Sequence, residues 1–292
     1  MTELRRRFDH FLIAVGDLQA GLNLYRDVLG FDARLGGRHV GRGTENALIR
    51  FGEDYIELIA PFDEAEANTA GRGSLVEFIR QRGGGLVAYC LSTSDLDAEA
   101  AQQDEAGLSG VGPFPMRRVR PDGVEITWRL LWPGGDAYRR PWPFYIQWDQ
   151  PPAERLAQDP PGEHPIGARA VAEVDVLAAN LERGIDLYRR QLDLPFVGRD
   201  SRPELAAQRA SFELDGCRIV LLAPSGPGEI ATALAELGEG IYQAVLRVAS
   251  LEQARAWLAR NGVSLSPVAG CDGDFVIDPA RAAGARLVLR ET

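Results

Sequence analysis

Apolar and polar positions alternate with two periods in the opening third of the chain. Residues 11–15, FLIAV, form an unbroken apolar run of strand length. Asp17 follows as a helix N-cap, because its carboxylate can accept from the free N–H groups of the next turn. Leu18, Leu22, Tyr25, Val28 and Leu29 then recur at helical spacing, and Gly30 ends the helix. Residues 47–51 and 55–59 read as two antiparallel strands joined by a turn at 52–54. On the second of these, Ile56 and Leu58 share one face, while Tyr55, Glu57 and Ile59 share the other.

The pattern recurs. An offset of 163 positions lays LYRDVL (24–29) on LYRRQL (187–192), Asp17-Leu18 on Asn180-Leu181, and Pro61 on Pro224. Weaker copies open at LVAYCL (86–91), followed by Asp95-Leu96, and at AVLRV (244–248), followed by Ser250-Leu251. The expected helices of these copies span 97–106 and 252–261. We therefore expect an α+β protein of four βαβββ modules, at 8–61, 84–149, 168–224 and 240–290. A single module leaves a concave sheet uncovered, so modules should pair into two open mixed β-barrels. The expected halves are 1–150 and 166–292, joined by a proline-rich, charged linker at 151–165. Segment 62–83 connects the first two modules, with one or two helical turns near 75–80, and RPDG (120–123) marks a turn between strands.

Composition narrows the function classes. A chain of 292 residues, 45% hydrophobic and 25% charged, has the make-up of an ordinary soluble protein. Its formal charge of −10 argues against nucleic acid as a partner. No apolar stretch approaches membrane-spanning or signal-peptide length, so a cytoplasmic protein that does not enter a membrane is expected. Cys90, Cys217 and Cys271 are widely separated, as expected of reduced thiols.

Candidate chemistry centres on His10, at the head of the first strand, and Glu57, inside YIELIAP. A carboxylate in so apolar a strand is costly to bury unless it is paired, protonated or bound to a cation. An arginine such as Arg50 or Arg118 is the structural alternative as its partner. The glycine-rich stretch GGRHVGRGTEN (36–46) offers His39, Thr44 and Asn46 as polar contacts for a ligand, or is simply a hairpin rich in glycine. Trp128 and Tyr145 could wall a pocket or fill a core. His164, before Pro165, is a weaker candidate.

The stretches DHFLIAVGDL, LYRDVLGF, GGRHVGRGTENAL and YIELIAP, with RPDGVEITWRL, PFYIQWD and HPIGA further on, resemble the vicinal oxygen chelate superfamily. That superfamily includes glyoxalase I, extradiol dioxygenases and bleomycin-resistance proteins, and the likeness is closest to its glyoxalase-like domain branch. The resemblance implies metal ligands at His10 and Glu57 in the first barrel. Aligning YIELIA with FYIQWD adds Gln147 as a third donor, while the counterpart of His10 in the second module is Ala88. It thus implies a small-molecule enzyme with Glu57 and His10 catalytic, and one loosely held divalent metal (zinc, manganese, nickel or iron) or none. Lyase or isomerase chemistry through an enolate is the leading expectation. A metal-free binding protein of bleomycin-resistance type is the alternative, and a ring-cleaving dioxygenase the second alternative. Dioxygenase chemistry needs two imidazoles and a carboxylate, and only one histidine falls at such a position. In the second half, Glu173 and Val220 replace the pair, and that half is expected to be structural, to bind a ligand, or to dimerise the chain into a homodimer.

Overall fold

The computed structural model describes residues 6–136 and 138–292. Its first half runs β1 (Arg6–Val15), α1 (Leu18–Asn23), β2 (Ala33–His39), β3 (Thr44–Arg50), β4 (Tyr55–Pro61), α2 (Glu64–Thr69), α3 (Gly73–Arg82), β5 (Gly84–Thr93), α4 (Leu96–Glu105), β6 (Gly110–Val119), β7 (Glu125–Pro133) and β8 (Phe144–Trp148). After α5 (Pro152–Gln158), the second half runs β9 (Ala168–Leu177), α6 (Leu181–Asp186), β10 (Phe196–Arg202), β11 (Ala207–Leu214), β12 (Cys217–Pro224), α7 (Glu229–Leu237), β13 (Gly240–Val248), α8 (Leu251–Arg260), β14 (Leu265–Pro267), β15 (Asp274–Ile277) and β16 (Leu287–Glu291).

Each first strand pairs parallel with the last strand of its own module and antiparallel with the first strand of the next module. The first half is therefore ordered β1-β4-β3-β2-β6-β7-β8-β5, and the second β10-β11-β12-β9-β13-β16-β15-β14. This is the paired-module α+β architecture expected from the pattern. One detail differs: the first sheet closes into a barrel, whereas the second remains an open sheet. The closing seam is short, matching only Arg38 with Val119 and His39 with Arg118. Gly37 makes it feasible, since a Cβ there would lie 2.0 Å from the Val119 carbonyl oxygen, at a φ of +135°.

Strand parity divides the apolar residues between two cores. Leu12, Ala14 and Ile59 face the barrel interior with Met116, Trp128 and Ile146. Phe11, Ile13 and Val15 face outward into a core continuous through both halves, which also holds Val174, Val176 and Leu246. Polar links cross the same boundary. The Tyr25 hydroxyl donates to the Ala282 carbonyl at 3.0 Å, and Trp257 Nε1 donates to Val28 O at 3.0 Å. At Gly84, a Cβ would lie within 2.8 Å of the Ala14 and Ala283 carbonyl oxygens, so the halves meet backbone to backbone there.

Several elements depart locally from the periodic reading. The first strand starts at Arg6 rather than residue 11, because Arg6 to Phe8 pair with Thr93 to Leu91 and the Arg6 guanidinium binds Glu99 at 2.9 Å. The helix expected over 18–29 becomes a π-turn at Leu24–Val28, closed by Leu29 N–H to Leu24 O at 2.9 Å. The same turn occurs at Leu187–Gln191, and in both the tyrosine is fully buried. Segment 62–83 contains two helices rather than one short one, and the proline-rich connector holds α5, whose Arg155 is buried.

Candidate active site

The first strand carries a β-bulge between Phe8 and His10, so Asp9 has no register partner on β5. A bulge redirects the side chain beside it. Here it turns the Asp9 carboxylate onto the neighbouring ring, with His10 Nδ1 2.6 Å from Asp9 Oδ1. Trp148 Nε1 donates to Asp9 Oδ2 at 2.9 Å and fixes the carboxylate. The other imidazole nitrogen, Nε2, lies 3.3 Å from Glu57 Oε2 on the adjacent parallel strand. Tyr55 stacks on the His10 ring at 4.4 Å and 17°, and Phe144 meets it edge-on at 5.5 Å. Both rings hold the imidazole in the plane that joins the two carboxylates.

Glu57 connects to a second polar set. Asn46 Nδ2 donates to Glu57 Oε1 at 2.9 Å and lies 3.4 Å from His39 Nε2. His39 Nε2 is itself 3.8 Å from Glu57 Oε1. His39 Nδ1 lies 2.9 Å from Thr44 Oγ1, and Asn46 Oδ1 accepts from Arg118 Nη1 at 3.2 Å. The amide direction of Asn46 fixes the tautomer: Nδ1 of His39 carries the proton and donates to Thr44, while the Nε2 lone pair faces Asn46 Nδ2.

The charges follow from these contacts. Burial raises the cost of the Glu57 anion, but hydrogen bonds from His10 and Asn46 and the nearby imidazoles overcome it and bring the carboxyl down to about 2. Burial disfavours the charged form of His10 as well, yet Asp9 and Glu57 together hold its pKa above the ordinary value. His39 behaves oppositely. Burial, reinforced by Arg72 and Arg118, pushes it down to about 3, so it is neutral. The cavity over these groups measures about 40 Å³. Asn46 also borders an outer groove of about 330 Å³ flanked by Leu35 and Val119, beside the barrel seam.

The donor set suits a divalent cation. His10 Nε2, His39 Nε2 and the Glu57 carboxylate converge in one cavity, and the first two are oriented from behind by Asp9 and Thr44, as metal-bound imidazoles usually are. Asp9, His10 and Cys90 also bring ligand atoms within 4.8 Å of one another. There, however, both Asp9 oxygens are already engaged, and burial pushes the Cys90 thiol well up.

His10, Glu57, His39, Asn46 and Trp128 line one cavity, with Thr44 directly behind His39. Gln147 does not join them. Its Oε1 accepts from Leu96 N–H at 3.1 Å and Arg129 Nη2 at 2.6 Å on the opposite face of β8, where it caps α4. The reason is register: Leu12 pairs with Glu57, and its counterpart Cys90 pairs with Phe144. The residue at the Glu57 position is therefore Phe144, three places before Gln147. Ala88 does stand at the His10 position, opposite Leu12. Tyr145 is also turned away, fully buried in the core shared by both halves. His164 is structural, bonded between Asp32 N–H at 2.9 Å and Arg50 O at 3.1 Å. Sequence reading missed Asp9, Arg72 and Trp148. Strict strand alternation would turn Asp9 away from His10, and a bulge leaves no periodic signature in the sequence.

The glyoxalase-like domain family model matches residues 8–192, more than half of the chain. The protein belongs to this family, within the vicinal oxygen chelate superfamily. No curated protein matches it by sequence. Among solved structures, a hypothetical protein from Staphylococcus aureus superposes with a TM-score of 0.70 at 18% identity, covering 98% of this chain and 100% of that one. A mutant of 4-hydroxymandelate synthase from Streptomyces coelicolor gives 0.65 at 14% identity, covering 99% and 93%. Methylmalonyl-CoA epimerase from Mycobacterium tuberculosis gives 0.40 at 24% identity, covering 43% of this chain and 89% of that one. At these identities the likeness is one of fold.

Proposed function

We propose that the protein is a cytoplasmic small-molecule enzyme whose N-terminal barrel moves a proton at a carbon next to a carbonyl, an isomerase or lyase reaction through an enolate. The observation that carries this reading is the buried Asp9–His10–Glu57 array, with His10 Nε2 and Glu57 Oε2 3.3 Å apart at the wall of one cavity. His10 and Glu57 would hold a divalent metal, with His39 Nε2 alongside. When bound, such a metal polarises the substrate carbonyl and stabilises the enolate oxygen. Asp9 orients His10, and Thr44 sets the tautomer of His39. Glu57 is committed to His10 and Asn46, so the unprotonated Nε2 of His39, 3.4 Å from Asn46 Nδ2, is the group that would accept the proton whenever it is not on the metal. Leu12, Trp128 and Ile146 keep water from the enolate.

A second reading rests on His39. Two imidazoles and one carboxylate in one cavity form the donor set used by ring-cleaving dioxygenases, which the sequence alone did not supply. Oxygen uptake with iron(II) and catechols would favour it over proton exchange.

The test measures bound metal in protein purified without chelator, and in His10→Ala and Glu57→Gln. Proton–deuteron exchange is followed by NMR across a panel of small carbonyl compounds. Metal in the wild type, at least tenfold less in both variants, and exchange that follows metal content are expected. Wild type that gains neither metal nor exchange on adding manganese, nickel, zinc or iron(II) defeats the proposal and leaves a ligand-sequestering protein.

A further inference from the structure

The same cavity is lined by two arginines that the proposed chemistry does not use. Arg72 and Arg118 are 5% and 4% exposed. Among the described residues, neither guanidinium lies within ion-pair distance of a carboxylate, and the Nε of each has no hydrogen-bond partner. Arg118 bonds Asn46 at 3.2 Å, and Arg72 bonds the Tyr138 hydroxyl and stacks over Trp132 at 4.8 Å. All of these partners are neutral. The one fixed anion in the cavity, Glu57, is already engaged by His10 and Asn46. A buried cation without a counter-charge close by is costly to the fold. Two such cations in one small cavity call for an anion.

We infer that Arg72 and Arg118 bind a carboxylate carried by the substrate within a few bonds of its reacting carbonyl, as in a 2-oxo acid or its enolate. This rests on the proposed reaction for the identity of the carbonyl, but the anion site stands by itself. The cavity of about 40 Å³ fixes the distance, since it cannot hold a charged group and a reacting carbon far apart. Planar, two-pronged guanidinium donors match a carboxylate, and both guanidiniums line the cavity with an Nε–H left unsatisfied.

The test titrates the full-length chain, freed of metal by dialysis, with oxalate, with inorganic phosphate and with neutral oxamide. Tryptophan fluorescence (Trp128 and Trp148 line the cavity) and melting temperature report binding. Oxalate is expected to bind and raise the melting temperature, and oxamide to do neither. Arg118→Met and Arg72→Met should each weaken oxalate at least tenfold, and Arg118→Lys should weaken it less than Arg118→Met. Where a methionine variant fails to fold, the lysine variant of the same residue carries the comparison. Oxalate binding equal in wild type and variants, or none in the wild type, overturns the inference. Phosphate binding more tightly than oxalate overturns the carboxylate assignment. His10→Ala separates the two proposals: metal and exchange are lost while oxalate binding stays within a few-fold of wild type.

Discussion

Replacing Glu57 with Gln should change how stability depends on pH as well as its value. The carboxyl lies at about 2 in the folded protein against an ordinary 4.5. A group depressed in this way stabilises the fold above its unfolded pKa, and the contribution is lost as pH falls through the folded pKa. The difference between the two values corresponds to about 3 kcal/mol at neutral pH, of which about 2 is lost between pH 6 and 3. His10 acts at the other end. Its pKa is raised, so its contribution is complete below the unfolded value near 6.5 and declines as pH rises through the folded one. The pair is therefore most effective between about pH 5 and 6.5. Urea unfolding of metal-free wild type and E57Q, measured from pH 3 to 9, isolates the effect, because other carboxylates cancel in the difference. Wild type should lose about 2 kcal/mol more than E57Q between pH 6 and 3. Parallel pH profiles would refute an ion pair between His10 and Glu57.

Three further outcomes follow from the geometry. Tyr145→Phe removes a buried hydroxyl that has no partner, so it should leave turnover and oxalate binding unchanged and alter unfolding free energy by no more than about 1 kcal/mol in either direction. Gly37→Ala sets a Cβ 2.0 Å from the Val119 carbonyl oxygen, so it should part the seam. Faster amide hydrogen exchange at Val40 and a loss of about 1–3 kcal/mol would show this. Trp148→Phe removes the N–H that fixes Asp9, so it should lower metal affinity by about tenfold while circular dichroism stays unchanged.

The architecture was legible because its signals are local and repeated. Caps at Asp17, Asp95, Asn180 and Ser250 all bond the first turn of the helix that follows. The site was legible only in part. His10, Glu57, His39 and Asn46 could be named because unusual residues stood in apolar or glycine-rich stretches. Gln147 was misplaced by inferring register in β8 from a look-alike string, and a slip of three residues, like one of a single residue, turns a side chain to the other face; Tyr145 proved to be the core residue that was its alternative reading. Arg72 could not be found at all. It lies in the turn between α2 and α3, and only the way that turn packs over the barrel mouth brings its guanidinium near His39.

A comparison of the two halves supports assigning the proposed chemistry to the first. The second sheet also encloses a charged cavity, bordered by Glu173, Asp175, Arg286 and Arg290. There the charges cancel. Arg290 binds Asp274 at 2.7 Å and lies 3.7 Å from Glu173, and Arg286 binds Glu229 at 2.9 Å. Burial, with Glu173 close by, holds the Asp175 carboxyl well above the usual range. Arginines paired in this way stabilise their own half and are already matched by carboxylates. The first barrel has the opposite character: two guanidiniums without counter-charges, and a histidine lone pair beside a carboxylate held ionised. Such an arrangement costs stability in the free protein, and that cost is recovered when an anion enters. On one scaffold, then, incomplete charge pairing distinguishes the half proposed to bind an anion.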